Sequence, residues 1–187
     1  NLPIYNGLTI EPQIGLVPLR KDPSSGLWEF SHVQSGTLPT VVNGDYVLNE
    51  ETSIVLVLLP ESQFWMGAEP TGDRNVDPRA KETEGPVHLV SIAPFFLSKY
   101  EMNQGQWQRI SNSNPSAYPI GTDVKPNPIT GMHPIEQVTW SEATESLHRY
   151  DLKLPTEAQW EYAARGVWTK KAETPPSNPV FWTGDDV

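Results

Sequence analysis

The sequence predicts an α+β fold, on three observations. The six-residue apolar run Ile54 to Leu59 is rich in β-branched side chains and reads as a strand buried on both faces. Two capping boxes, Thr139 with Glu142 and Thr156 with Gln159, each open a short helix. Nineteen prolines and thirteen glycines interrupt the 187 residues, so much of the backbone must be irregular. A small antiparallel sheet, two or three short helices and many loops satisfy all three.

Residues 1–50 carry turn signals at Asn6-Gly7, Asp22-Pro23, Ser24-Ser25-Gly26, Ser35-Gly36 and Asn43-Gly44. They read as a strand-poor lead-in extension that packs on a main domain at 51–187. Inside the lead-in, Asn43-Gly44-Asp45 lies between Val41-Val42 and Tyr46-Val47-Leu48, which predicts a hairpin. Pro60 ends the buried strand. Phe64-Trp65-Met66-Gly67 follows as a second strand with a glycine turn, and residues 68–86 form a polar surface loop. Val87 to Ile92 alternates, which places His88 and Leu89 on opposite faces of a strand. Phe95-Phe96-Leu97 is a further buried piece.

The first helix spans Asn103 to Ile110, with Asn103 as N-cap and Trp107 and Ile110 inward. Residues 111–134 form a loop too long to stay unpinned. In the second helix Trp140 and Leu147, seven apart, share a face. The third is Leu154-Pro155-Thr156-Glu157-Ala158-Gln159-Trp160-Glu161-Tyr162-Ala163-Ala164-Arg165-Gly166. Thr156 caps it, Glu157 meets the positive end of its dipole, and Gly166 stops it. Residues 168–187 read as loop.

The net charge of −10 and the lack of any basic stripe speak against nucleic acid and against an anionic membrane surface. The longest apolar run, six residues, is too short to span a bilayer, so a soluble chain is expected. A cytoplasmic location is favoured over a secreted one. With no cysteine there is no disulfide, no thiolate metal ligand and no sulfur nucleophile. The histidines 32, 88, 133 and 148 include no helical metal pair. Glu157 and Glu161 stand one helical turn apart, and one of them is expected to hold loop backbone. Of seven tryptophans, Trp65, Trp107, Trp140 and Trp160 read as core. Trp28, Trp168 and Trp182 sit in loop contexts and are candidates for a groove or interface.

The thirteen-residue helix string resembles the signature of the formylglycine-generating enzyme (sulfatase-modifying factor) family. Other segments agree in order: Phe64-Trp65-Met66-Gly67, Glu84-Gly85-Pro86-Val87-His88, Phe96-Leu97-Ser98-Lys99-Tyr100-Glu101-Met102-Asn103, Asn114-Pro115-Ser116 and His133-Pro134-Ile135-Glu136-Gln137-Val138-Thr139-Trp140. The likeness covers roughly residues 50–187. It departs at Lys153, where the family has arginine before Leu-Pro, and the first fifty residues have no counterpart in the minimal enzyme.

The resemblance implies a variant of the C-type lectin fold, seen here as its N-terminal portion within a larger bacterial protein. It also implies that the copper-binding cysteine pair and the calcium loops belong to a C-terminal half, so no catalytic, copper or calcium residue is assigned in this chain. The expected role is scaffold plus a loop-built binding surface, not catalysis by this chain alone. One alternative is the N-terminal half of a copper-dependent oxidase that converts a protein cysteine to formylglycine. Another is a ligand- or protein-binding lectin-fold module fused to a kinase or protease. Expected partners are its own C-terminal half or a complementing chain, and a peptide or protein ligand. Thr156, Glu157, Trp160, Glu161 and Arg165 are then fold determinants.

Overall fold

A computed structural model describes residues 3–166, in two compact units. The first comprises residues 3–9, 59–95 and the chain from Pro155. The second comprises Ile10–Leu58 and Phe96–Leu154.

The second unit holds a four-stranded sheet. Its strands are β1 (Leu16–Lys21), β2 (Trp28–His32), β5 (Ile54–Leu59) and β8 (Phe95–Ser98), in the order β1-β2-β5-β8. β5 is central, and five of its six residues are buried, as an uninterrupted apolar strand requires. β2 pairs antiparallel with both β1 and β5. β1 lies at the edge, where Pro18 removes no central ladder bond, and the register shifts between Pro18 and Arg20. A separate hairpin joins β3 (Thr40–Val42) and β4 (Asp45–Val47). Its turn places Asn43 and Gly44 at positive φ, as the Asn-Gly pair predicts.

The lead-in is therefore not strand-poor: residues 1–50 contain β1 to β4. The turn signals fall at turns, but the strands between them are short and carry polar residues. Glu29, Ser31 and His32 of β2 are all buried, so no apolar alternation marked them. Each bonds a partner outside β2: Glu29 to Arg20, Tyr46 and Lys99, Ser31 to Ser53, and His32 to the Tyr150 carbonyl.

Two helices complete this unit, α1 (Gln104–Ser111) and α2 (Trp140–His148). Both begin with reciprocal capping boxes, Asn103 with Gln106 and Thr139 with Glu142. Trp107, Ile110 and Leu147 form a core, with Met102, Ile135, Val138 and Leu152 packed against it. The 111–134 loop is pinned by the α1 end. Gln104 donates to the Tyr118 carbonyl at 3.1 Å and accepts from the Asn114 amide at 2.8 Å. The Gly131 N–H donates to Glu50 at 2.7 Å.

The first unit pairs β6 (Ser62–Met66) antiparallel with β7 (His88–Ile92), and α3 (Glu157–Arg165) packs on the hairpin. Tyr162 is fully buried there. Its ring meets Phe64 at 5.5 Å and Phe95 at 6.2 Å, and its hydroxyl donates to the Pro60 carbonyl at 3.1 Å. Phe64 and Trp65 follow the strand alternation, so Phe64 is buried and Trp65 faces outward.

That alternation corrects the tryptophan reading. Trp107 is core, at 3% exposure, but Trp65, Trp140 and Trp160 are 37%, 72% and 64% exposed. Trp140 is the first residue of α2, one turn beyond the cluster that Leu147 joins. Trp160 lies two positions from Tyr162, about 200° around the helix, so burying one turns the other outward.

Candidate functional site

The site is built on α3. Glu161 and Arg165 are four residues apart and share a face. Both reach Gly67, which follows β6. The Gly67 N–H donates to Glu161 Oε1 at 2.8 Å, and Arg165 Nε donates to the same oxygen at 2.7 Å. Arg165 Nη2 donates to the Gly67 carbonyl at 3.0 Å. A single helical turn thus holds both backbone groups of one residue. That residue must be glycine: its φ is +91°, and a Cβ there would lie 2.6 Å from the Glu84 carbonyl oxygen. The neck of the 68–84 loop closes beside it, with the Ala68 N–H donating to the Glu84 carbonyl at 3.0 Å.

Around this clamp lies an open recess lined by Met66, Gly67, Glu84, Gly85, His88 and Glu157. His88 Nδ1 lies 2.8 Å from the Pro86 carbonyl oxygen. A carbonyl only accepts, so Nδ1 donates in this contact. Glu157 and His88 are exposed at the rim. The arrangement orients loop backbone and presents polar groups at its mouth.

A second cluster lies within the other unit. Glu29 of β2 is fully buried. It accepts from Arg20 Nε at 3.1 Å, from the Tyr46 hydroxyl at 2.8 Å and from the Lys99 ammonium. Lys99 also donates to Asp22 at 2.9 Å. Burial raises the Asp22 carboxyl, but Lys99 and the Ser25 N–H and hydroxyl outweigh it and bring the pKa down to about 2. Burial lowers Lys99, and its bonds to Glu29 and Asp22 reverse that, so its pKa is raised. Burial, then the bond to Glu29 and its charge, push the Tyr46 hydroxyl up. Nothing in the sequence pattern marked this cluster, because the bonded pairs among Arg20, Asp22, Glu29, Tyr46 and Lys99 are 9 to 77 residues apart.

Of the residues named from sequence, Glu157, Glu161 and Arg165 come together at the recess. Thr156 accepts from the Gln159 N–H at 3.2 Å and caps α3. Trp160 stands away from this hydrogen-bonded face. Trp28 lies in the other unit, paired with Lys21 across β1 and β2, the ammonium 5.3 Å from its ring centroid. Trp168 and Trp182 lie outside the described residues. Gly67, the residue the clamp serves, was legible only as the end of the Phe-Trp-Met-Gly segment.

Copper(I) favours soft thiolate or thioether ligands, and copper also takes imidazole. The chain has no cysteine, and no three His, Asp or Glu among the described residues are grouped to hold a metal. The described residues do not group into a copper centre. No helix among the described residues is long and apolar enough to cross a membrane.

An α+β domain whose capped helix clamps a glycine hairpin is the class that fold and site define. The model of the sulfatase-modifying factor enzyme 1-like domain matches residues 47–185, and the chain belongs to that family. It is 26% identical to the formylglycine-generating enzyme of Thermomonospora curvata, over 63% of this chain and 50% of that protein. It is 24% identical to the Bos taurus enzyme of the same name, over 59% of this chain and 39% of that one. A chaperone protein, LppX of Paenibacillus barcinonensis, is 26% identical over 41% of this chain and 38% of its own length. The chain thus spans half or less of the length of these relatives.

Proposed function

We propose that this chain is the N-terminal, scaffold-forming part of a formylglycine-generating-enzyme-like domain with the lectin-type architecture of that family. It works within a larger bacterial protein, in the cytoplasm, and does not catalyse alone. One observation carries this reading. On α3 the inward residues Glu161, Tyr162 and Arg165 are all engaged, yet Trp160 is 64% exposed. A large aromatic exposed on the helix that organises the site supports a contact surface there. The occupant that fits is the C-terminal half of the domain, or a chain that supplies it. Copper and calcium would enter with that half.

The test is tryptophan fluorescence and sedimentation of residues 1–187 with and without the complementing half. A blue shift lost in Trp160→Ala supports the proposal. A monodisperse fragment that melts cooperatively and ignores the added half ends it.

A second reading, the N-terminal half of a cysteine-oxidising enzyme, is favoured by the names of the Thermomonospora and Bos taurus relatives. A copper-dependent cysteine-peptide oxidation assay on the complete protein distinguishes it. The relative named a chaperone favours protein binding without oxidation, which the same assay reads as no turnover.

A further inference from the structure

Among the described residues β6 pairs with β7 in a two-stranded sheet, and its outer edge has no strand partner there. Such an edge presents unpaired N–H and C=O groups that another strand can pair with. The strand itself, Ser62–Met66, carries no charge, so neighbouring copies meet no local repulsion despite the −10 of the chain. Its outward side chain Trp65 is paired across the hairpin with Leu89, and the two are 37% and 49% exposed.

The edge is nevertheless covered: α3 holds Gly67 through Glu161 and Arg165, and two adjacent loop residues cover the strand before it. The Asn75 side-chain amide donates to the Trp65 carbonyl at 2.7 Å and to the Gly67 carbonyl at 2.8 Å. Carbonyls two residues apart point to the same side of a strand. The Gly67 N–H on that side goes to Glu161 rather than to β7, which identifies the side as the outer one. The Asn75 amide thus occupies the place of a neighbouring strand's donors. Asn75 adopts φ +46°, a left-handed conformation that asparagine tolerates and that aims its amide. Arg74 lays its guanidinium 4.4 Å from the Trp65 ring centroid and covers the same strand's aromatic face.

We infer that the outer edge of β6 is a latent strand-addition surface that Asn75 and Arg74 hold closed, and that the segment it accepts when uncovered is β6 of a second copy. Antiparallel self-pairing is isologous, and it brings the uncharged faces of two identical strands together. The inference stands apart from the contact surface at Trp160, which lies on α3.

Asn75→Gly tests it, because glycine keeps the left-handed backbone and deletes both donors. Sedimentation equilibrium should show self-association about tenfold tighter than wild type, the factor expected from losing about one hydrogen bond's net stabilisation. Asn75→Asp, which keeps the shape and cannot donate, should act in the same direction. Adding Gln63→Pro should return either variant to wild-type association. Gln63 shares the outward side with Trp65 and Gly67, and proline there removes only an outward N–H. Association through Trp160 would be equal in wild type and untouched by Gln63→Pro. Unchanged self-association in both Asn75 variants, or association that persists with Gln63→Pro, overturns the inference.

Discussion

Lys99 Nζ lies 2.9 Å from Asp22 Oδ1, which ties a residue inside the family-matched segment 47–185 to one that precedes it. Lys99 also meets Glu29, whose side chain is fully buried. Of the elements before position 47, β1 and β2 are strands of the four-stranded sheet itself.

Replacing Lys99 by methionine leaves the buried Glu29 carboxylate short of a cationic donor. The loss of one partner of a buried charge is expected to cost about 3 kcal/mol. Urea unfolding should show it as a lower midpoint with an unchanged slope. A midpoint within error of wild type would contradict the role given to Lys99.

The same contact fixes an acid dependence. The Asp22 pKa is about 2 in the fold against an ordinary 3.8. A depressed carboxylate stabilises above its unfolded value, and the benefit fades as pH falls from about 4 towards 2. The magnitude is about 2 kcal/mol. In Asp22→Asn that part of the acid slope should vanish, measured by urea midpoints from pH 5 to pH 2.

His32 adds a second slope at higher pH. It is buried, and its Nε2 donates to the Tyr150 carbonyl at 3.0 Å, while Nδ1 has no hydrogen-bond partner among the described residues. Burial lowers its pKa, against the Tyr150 carbonyl and the Asp151 charge, which raise it. The neutral ring is the folded form, so below about 6.5 the unfolded chain takes up the proton first. Stability should decline as pH drops through that window. His32→Gln should flatten the decline, whatever its effect at pH 8.

Gly67→Ala should be the most damaging single-methyl change at the candidate site. It combines the left-handed φ with a Cβ 2.6 Å from the Glu84 oxygen. A loss of at least about 2 kcal/mol is expected, with faster hydrogen exchange across 67–86. Wild-type exchange there would show that the clamp does not hold the loop.

Thr156→Ala removes one cap bond to the Gln159 N–H and should cost about 1 kcal/mol. Thr139→Ala, at the matching position of α2, is the natural comparison. Similar losses in thermal melts would show that the two caps contribute locally, independent of what each helix packs on.

The sequence by itself determined the local structure. Asn103, Thr139 and Thr156 cap their helices, Gly166 closes α3 in the left-handed conformation, and Ile54–Leu59 is the buried central strand. Each of these rests on bonds or burial patterns within a few residues, so spacing alone reveals it. Only the tertiary structure decided that β2 lies between β1 and β5, that Glu29, Lys99 and Asp22 meet, and that α3 turns Tyr162 inward and Trp160 outward. A buried charge is stable only where distant donors converge on it, and which face of a helix is covered depends on what packs there. Neither condition leaves a periodic trace in the chain.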